Sequence, residues 1–187
     1  MKNKYDFVVA VAGCPNVGKS TLFNVITGEK QHVGNWPGKT VERYEGTLFH
    51  HGYRIKVVDL PGTYSLGALS EEEVIARDFI VKDKPDVVIV IADALRLEHT
   101  LYLVIQLLEL TEKVVVALNK MDAADKRGIH IRVDRLAGKL SVPVIPISAL
   151  HKIGINNLVD RVLEIAEGKI KPRKFRLNYG GIEYYID

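Results

Sequence analysis

The chain alternates between short apolar runs and longer amphipathic stretches. The apolar runs are rich in β-branched residues and nearly continuous, which is typical of strands buried on both faces of a sheet. They cover residues 7–12, 55–60, 87–92, 113–118 and 142–147. The stretches between them have helical periodicity. They cover residues 19–27, 71–81, 99–110, 132–140 and 155–167.

One segment has a different pattern. Residues 41–50 alternate between polar and apolar side chains, and Gly52 follows at a turn. This predicts an antiparallel edge strand that forms a hairpin with 55–60. The whole pattern predicts an α/β fold with a mostly parallel six-stranded sheet, one antiparallel edge strand and helices on both faces. Ligands of such sheets bind at the carboxyl ends of the strands.

Composition narrows the class of protein. The 187 residues suffice for one α/β domain, and a net charge of +3 is too small to indicate a nucleic-acid or membrane surface. The single cysteine, Cys14, fits a reducing compartment. Neither a signal peptide nor an apolar run long enough to span a bilayer is expected. We expect residues 1–168 to form the domain and 169–187 to be a basic linker that begins a further region.

Residues 13–20 carry a phosphate-binding pattern. Their sequence, Gly-Cys-Pro-Asn-Val-Gly-Lys-Ser, fits G-x-x-x-x-G-K-[ST], directly after a predicted strand and at the start of a predicted helix. Successive backbone N–H groups of such a loop point at a phosphate, Lys19 reaches the β- and γ-phosphate oxygens, and the Ser20 hydroxyl binds Mg²⁺. A glycine-rich turn without a ligand is the alternative. The expected nucleotide contacts are Gly13, Cys14, Pro15, Asn16, Val17, Gly18, Lys19, Ser20 and Thr21.

An Asp-Leu-Pro-Gly element at 59–62 follows the second parallel strand. Asp59 at the strand end can hold a water molecule on Mg²⁺, and the Gly62 N–H can contact the γ-phosphate. Loss of that phosphate on hydrolysis then releases the loop 63–70. By itself the element also fits an ordinary turn. Its register with the phosphate loop favours the nucleotide site.

The segment 32–42 is too rich in glycine and proline to be regular, and we expect an exposed Trp36 within it. Such a loop can close over a nucleotide. Thr40 follows Ser20 by twenty residues and is the candidate for the second protein oxygen on Mg²⁺. Without this spacing, a threonine before an edge strand would not indicate a metal ligand.

The sequence Asn119-Lys120-Met121-Asp122 follows another strand. The Asp122 carboxylate can accept hydrogen bonds from guanine N1–H and N2–H₂, whereas adenine offers no matching donors. Asn119 can bond guanine and brace the phosphate loop, and the Lys120 stem can lie over the base. An aspartate cap on the next helix is the alternative. Guanine contacts are also expected from Ser148, Ala149 and Leu150, at the end of the last strand.

Together these motifs indicate a P-loop GTPase, but one residue that usually takes part in GTP hydrolysis is absent. Ras-like GTPases place a water-orienting glutamine after D-x-x-G, and Thr63 stands there in this chain. Arg43 lies beyond the loop that carries Thr40, and we expect it to be a solvated side chain. Hydrolysis is therefore expected to be slow. The Asn16 amide oxygen either holds a monovalent cation beside the phosphates or only braces the loop. The expected catalytic set is Lys19, Asn16, Thr40 and Gly62.

Four segments resemble the GTPase domain of ferrous-iron transport protein B. They are 13–20, the Gly-Asn-Trp-Pro-Gly-Lys-Thr-Val-Glu run at 34–42, Asp-Leu-Pro-Gly-Thr-Tyr-Ser-Leu at 59–66, and 70–80. The resemblance implies a GTPase domain on the cytoplasmic face of the inner membrane, followed by helical and transmembrane regions of an Fe²⁺ transporter. It also implies stimulation by K⁺, held by the Asn16 side chain and the carbonyls of Gly34 and Trp36. Lys39 departs from the family pattern, in which we expect a small apolar residue.

The six histidines are expected to be ordinary surface residues. His50 and His51 are adjacent on a predicted strand and should point to opposite faces, so no Fe²⁺ site is expected in this chain. Cys14 is expected to be a small buried residue rather than a redox switch.

Three functions from different classes are consistent with these patterns. The first is a GTPase switch of a ferrous iron transporter, with GTP, Mg²⁺ and K⁺ as ligands and the rest of the same polypeptide as partner. The second is an RNA-associated assembly GTPase, for which the basic run at 169–174 is a poor binding surface. The third is a guanine-nucleotide-binding module without turnover. No nucleic-acid partner is expected, and the oligomeric state is left open.

Overall fold

The computed structural model describes residues 5–28, 31–171 and 175 of the chain. The strands within them are β1 Phe7–Gly13, β2 Gln31–Asn35, β3 Glu42–His50, β4 Tyr53–Asp59, β5 Val87–Asp93, β6 Val114–Asn119 and β7 Val144–Pro146. They form a seven-stranded sheet in the order β2-β3-β4-β1-β5-β6-β7. β1 pairs in parallel with β4 and β5, and β5, β6 and β7 continue the parallel part. The predicted α/β fold is confirmed.

The described residues form six α-helices. They are α1 Lys19–Thr27, α2 Glu71–Asp78, α3 Leu97–Leu110, α4 Met121–Lys126, α5 Val133–Leu140 and α6 Ile155–Ala166. A π-helical turn, Phe79–Asp83, continues α2. Five helices lie where the periodicity predicts them. The sequence pattern does not predict α4, because its six residues are too few to show a helical period.

Helices cover the central strands on both faces. All seven residues of β5 are buried, which requires packing above and below the sheet. Helix α1 packs on β1, β3 and β4, whereas α3 and α6 pack on β5 and β6. Burial of each large apolar side chain contributes about 1.5–3 kcal/mol. Fully buried examples from these three helices are Leu22, Phe23, Leu103, Leu107 and Leu158.

The sheet has one strand more than predicted. β2 lies within the segment expected to be an irregular loop, and it pairs antiparallel with β3, with Gly34 opposite Arg43. β3 pairs antiparallel with β4 as predicted, but β2 rather than β3 is the edge strand. Four of the five β2 residues are exposed, so β2 lacks the apolar alternation by which a strand is predicted from sequence.

The predictions for Trp36 and Arg43 are wrong. Trp36 is buried, and its ring makes an edge contact with Phe79 at a centroid distance of 5.5 Å. The Arg43 guanidinium lies 4.4 Å from the centre of the Trp36 ring and pairs with Glu45 at 2.6 Å. Arg43 is therefore a packing residue rather than a solvated one. The contact depends on the π-helical turn, which brings Phe79 to a loop more than forty residues earlier.

The prediction that His50 and His51 point to opposite faces is also wrong. β3 ends at His50, and a two-residue turn of His51 and Gly52 leads into β4, where Tyr53 pairs with His50. His51 has φ 46° and Gly52 has φ 84°, so the strand alternation stops at this turn. The two imidazole rings lie 4.2 Å apart, and both contact Asp160 on α6.

The end of the chain is described only in part. Of the predicted linker 169–187, the structure describes 169–171 and 175, where Phe175 packs against the core. The predicted start of a further region lies outside the described residues. Across the described ranges, every helix is too short or too polar to span a bilayer.

Candidate functional site

The phosphate loop connects β1 to α1. Asn16, with φ 64°, and Gly18, with φ 93°, both have left-handed backbone conformations, which turn N–H groups toward a common point. Gly18 is required for a second reason, because a β-carbon there would collide with Asn119 Nδ2. Cys14 is buried, as predicted, and burial raises the pKa of its thiol. Ser20 and Thr21 are exposed in the first turn of α1.

The phosphate-loop lysine contacts the end of β4. Lys19 Nζ lies 2.6 Å from Asp59 Oδ1, and both side chains are largely buried. Burial raises the pKa of the Asp59 carboxyl, and the Lys19 ammonium opposes that shift. The pair places one positive and one negative group at the base of the site. A nucleotide's phosphates would compete with Asp59 for Lys19.

The Asp-Leu-Pro-Gly element lies against the phosphate loop, as predicted. A β-carbon on Gly62 would be 3.7 Å from the carbonyl oxygen of Gly13 and from Pro15. The Thr63 N–H donates to the Gly13 carbonyl oxygen at 3.4 Å, and Thr63 is buried. Thr63, which stands where other GTPases have a catalytic glutamine, is therefore packed in the protein interior and is not an exposed polar side chain.

The loop after this element is tied to α2 through Glu73. The Glu73 carboxylate accepts hydrogen bonds from Ser65 Oγ at 2.6 Å and from the Leu69 N–H at 2.9 Å. Ser70 caps α2 by accepting the Glu73 N–H at 3.2 Å. These bonds lower the pKa of Glu73, the Ser65 bond most strongly. The polar contacts with Glu73 therefore hold this loop against the start of α2.

Asn119 braces the phosphate loop, as predicted, and also a second loop. Its Nδ2 donates to the Val17 carbonyl oxygen at 2.9 Å, and its Oδ1 accepts the Ala149 N–H at 2.9 Å. The side chain is buried. A single amide therefore fixes the phosphate loop relative to the loop 148–150.

Asp122 faces a cavity of about 280 Å³. It lies in the first turn of α4, where a hydrogen bond from Ser148 is the main cause of its lowered pKa, and His151 Nε2 lies 3.3 Å from its Oδ2. The carboxylate is thus kept ionised and only partly exposed, as recognition of a base through two N–H donors requires. The cavity is lined by Gly18, Thr21, Asn119, Lys120, Asp122, Ala123, Ser148, Ala149 and Leu150.

Asp93, which none of the sequence motifs includes, holds Lys120 in place. Asp93 is completely buried at the end of β5, and its Oδ2 lies 2.7 Å from Lys120 Nζ. The Lys120 ammonium also donates to the Asn16 carbonyl oxygen at 3.0 Å. The lysine stem is thereby stretched along the rim of the cavity. A lone aspartate at the carboxyl end of a buried strand was the signal available in the sequence.

The residues expected at a Mg²⁺ site supply hard oxygen ligands, which suit this ion. The Ser20 hydroxyl is exposed beside Lys19, and the Asp59 carboxylate contacts that lysine. Thr40 is exposed, and its side chain makes none of the hydrogen bonds found among the described residues. The structure thus brings Asp59 to the phosphate-loop lysine, and among the described residues no hydrogen bond ties Thr40 to the phosphate loop.

The residues expected to hold K⁺ lie on different elements of the structure. Asn16 is exposed on the phosphate loop, whereas Gly34 belongs to β2. The Trp36 carbonyl oxygen accepts the Lys39 N–H at 2.9 Å, and Lys39 Nζ pairs with Glu71 at 3.1 Å. Among the residues that the structure describes, residues 34–41 form no hydrogen bond with 13–21.

Comparison with known proteins identifies the family. The family model described as "Ferrous iron transport protein B" matches residues 7–162. The Fe(2+) transporter FeoB of Methanocaldococcus jannaschii is 49% identical over 182 residues, which are 97% of this chain and 27% of that protein. FeoB of Escherichia coli K12 is 46% identical over 154 residues, 80% of this chain and 20% of that protein. The chain thus spans about a quarter or less of these relatives.

Solved structures have the same fold. The cytosolic domain of the T. maritima FeoB iron transporter in a GDP form is 44% identical, with a TM-score of 0.91, over 95% of this chain and 70% of that one. Its GMPPNP form is 43% identical with a TM-score of 0.89, at the same coverage. The cytosolic domain of L. pneumophila FeoB has a TM-score of 0.88 at 42% identity, covering 96% and 70%.

The family match, the fold and the nucleotide motifs agree over most of the chain. The chain belongs to the ferrous iron transport protein B family and corresponds to the guanine-nucleotide-binding domain of that family.

Proposed function

We propose that this chain binds GTP with Mg²⁺, hydrolyses it slowly and regulates Fe²⁺ transport by a longer polypeptide of which it is one domain. The observation that carries the proposal is the Asn119 side chain, which joins the phosphate loop to the cavity containing Asp122. A phosphate cradle and a carboxylate that selects guanine lie at one end of the sheet. The combination suits GTP and disfavours ATP.

Each residue of the site has a role in binding. The phosphate-loop N–H groups and Lys19 hold the phosphates, and Asp122 holds the guanine edge. Ala149 and its neighbours Ser148 and Leu150 close the cavity around the base. Mg²⁺, when bound, neutralises phosphate charge, with Ser20, Thr40 and Asp59 as the chain's oxygen groups toward it. Lys19 leaves Asp59 for the phosphates, which frees the carboxylate to hold a water molecule.

The hydrolytic step lacks a strong water-orienting group. Thr63 is buried and donates its N–H to the phosphate loop, so it is a poor substitute for an exposed glutamine. Slow turnover follows from this. K⁺ held by the Asn16 amide and the carbonyls of Gly34 and Trp36 would supply positive charge beside the phosphates. We infer that residues 34–41 shift from β2 and its turn toward the phosphate loop when the nucleotide binds, and that Thr40 would then be one of the residues holding Mg²⁺.

The relatives support a proposal for the cellular location of the chain. They are named as Fe(2+) transporters, and the matched region is a minor part of their length. We infer that the chain lies on the cytoplasmic face of the membrane and acts on helical and membrane-spanning parts of the same polypeptide. The family match favours this function over the RNA-associated alternative.

Phosphate release from GTP tests the proposal. We expect slow release with Mg²⁺ that rises when K⁺ replaces Na⁺ at equal ionic strength, and much less release from ATP. Binding of a GTP analogue without turnover in either salt would instead identify a nucleotide-binding module. Equal use of ATP and GTP would contradict the role of Asp122.

A further inference from the structure

We propose that His50, His51 and Asp160 form a binding site for a divalent first-row transition metal ion. This site lies outside the nucleotide site and goes beyond the proposed function. Among the described residues, these three side chains form the only group of three or more histidine, cysteine or acidic residues whose ligand atoms converge closely enough to hold an ion, all within 4.8 Å of one another.

The geometry is that of two imidazoles and one carboxylate. His50 Nε2 lies 2.5 Å and His51 Nε2 lies 3.1 Å from the same oxygen, Asp160 Oδ1. Ligand atoms around one such ion, at about 2.0–2.2 Å from it, lie roughly 3–4 Å apart. Small rotations of the three side chains therefore make room for the ion between them. Two histidines and a carboxylate suit Zn²⁺, Fe²⁺ or Co²⁺ better than Mg²⁺ or Ca²⁺.

The backbone holds the two histidines side by side. Adjacent residues on a strand point to opposite faces, but His51 has φ 46° and Gly52 has φ 84°, as a two-residue hairpin turn requires. Asparagine and aspartate are the residues usually favoured at the first position of such a turn. Histidine, like asparagine and aspartate, adopts positive φ more readily than most other residues do, so His51 fits the turn. The His51 side chain contacts Asp160 and supplies an imidazole nitrogen as a metal ligand. An asparagine at this position would suit the turn but would not supply that nitrogen.

Exposure leaves room for the ion and its remaining ligands. The His50 side chain is 19% exposed, whereas those of His51 and Asp160 are 67% and 46% exposed. One ligand is thus anchored in the structure, and two face solvent. Water or a further ligand can complete the coordination, as in metal sites with open positions.

The site is remote from the nucleotide. The hairpin precedes β4, and Asp59 at the other end of β4 contacts Lys19. Six residue steps along a strand amount to about 20 Å. A metal ion here would join the β3–β4 hairpin to α6 without competing with Mg²⁺ for its ligands.

Titration with Co²⁺ tests the proposal, because Co²⁺ reports its ligands through visible absorption. The protein is first saturated with GDP and Mg²⁺, so that the nucleotide site is filled. We expect one Co²⁺ per chain, displaced by Zn²⁺. His50→Ala and Asp160→Asn should each weaken binding by about tenfold or more, since even indirect partners of metal ligands contribute that much.

Two further variants separate a ligand effect from a folding effect. His51→Asn keeps a residue that suits the turn, so it should weaken Co²⁺ binding without lowering the urea midpoint of unfolding. His130→Ala removes an exposed histidine elsewhere and should leave Co²⁺ binding unchanged. The proposal is overturned if the wild-type chain shows no saturable Co²⁺ spectrum, or if His51→Asn and Asp160→Asn bind Co²⁺ as tightly as His130→Ala does.

Discussion

Asn119 donates from Nδ2 to the carbonyl oxygen of Val17 at 2.9 Å, across 102 residues of sequence. The same side chain accepts the Ala149 N–H through Oδ1. Both bonds are buried, so water cannot replace either of them. The end of β6 therefore fixes the phosphate loop and the loop 148–150 at once, and guanine would meet a side chain that is already held in place.

Replacement of Asn119 by alanine should lower both stability and nucleotide affinity. The change leaves the Val17 carbonyl and the Ala149 N–H buried without their partner, at a cost of about 1–3 kcal/mol for each group. We expect the free energy of unfolding in urea to fall by about 2–4 kcal/mol. Asn157→Ala, at an exposed position of α6, is the control and should change stability by less than about 0.5 kcal/mol. Equal urea midpoints for the two variants would refute the bracing role.

The sequence predicts the location of the site because its motifs are tied to strand ends. Gly13, Asp59 and Asn119 each end a strand of the parallel part of the sheet. Parallel strands bring their carboxyl ends to one edge, so spacing along the chain becomes proximity in space. The Asp59–Lys19 contact and the Asn119 brace follow from this rule.

The remaining features depend on contacts that no local pattern encodes. Trp36 is buried because Phe79 and Arg43 pack on it, although its own segment is rich in glycine and proline. His50 and His51 converge because a turn with positive φ interrupts the strand. In each case the tertiary contact overrides the preference read from neighbouring residues.

Asp122→Asn should change the base specificity. An amide presents one donor and one acceptor where the carboxylate presents two acceptors, so one guanine N–H donor loses its partner. We expect GTP affinity to fall by about 3 kcal/mol, which is more than a hundredfold. Xanthosine triphosphate carries an acceptor in place of the guanine amino group and should bind the variant better than GTP does. Fluorescent-nucleotide titrations measure both. Unchanged GTP affinity would place the base elsewhere.

The pH dependence of this contact follows from the Asp122 pKa. The Ser148 hydrogen bond, followed by the His151 charge, keeps the pKa below its ordinary value of 3.8 in the folded chain. A depressed carboxyl pKa gives stabilisation that is present above the unfolded value and is lost as the pH falls through the folded one. The ratio of GTP affinities between wild type and Asp122→Asn should therefore stay constant from about pH 8 to 5. A decline of that ratio near pH 6 that persists when both proteins also carry His151→Ala would contradict this assignment.

Trp36 should report the movement of the segment 34–41. It is the only tryptophan, and its ring is buried against Phe79 and Arg43. If Thr40 moves to Mg²⁺ when a GTP analogue binds, the neighbouring ring loses part of this packing and its emission shifts to longer wavelength. GDP should leave the spectrum of the nucleotide-free protein nearly unchanged, and an ATP analogue serves as the control ligand. Identical spectra with GDP and the GTP analogue would show that this segment does not switch.

Asn16 variants separate a cation ligand from a loop brace. Asn16 has φ 64°, a conformation that strains alanine by about 1–2 kcal/mol but does not strain glycine. Asn16→Ala and Asn16→Gly both remove the amide oxygen, whereas only the alanine variant adds backbone strain.

If the amide holds K⁺, both variants should lose the stimulation of GTP hydrolysis by K⁺ over Na⁺, while GTP-analogue binding stays within a few fold of wild type. If the Asn16 amide only braces the loop, both variants should bind GTP more weakly, the alanine variant more so because of its backbone strain, and both should retain the stimulation by K⁺. Phosphate-release rates in matched K⁺ and Na⁺ buffers distinguish these outcomes. Retained stimulation in the glycine variant would show that the cation has other ligands.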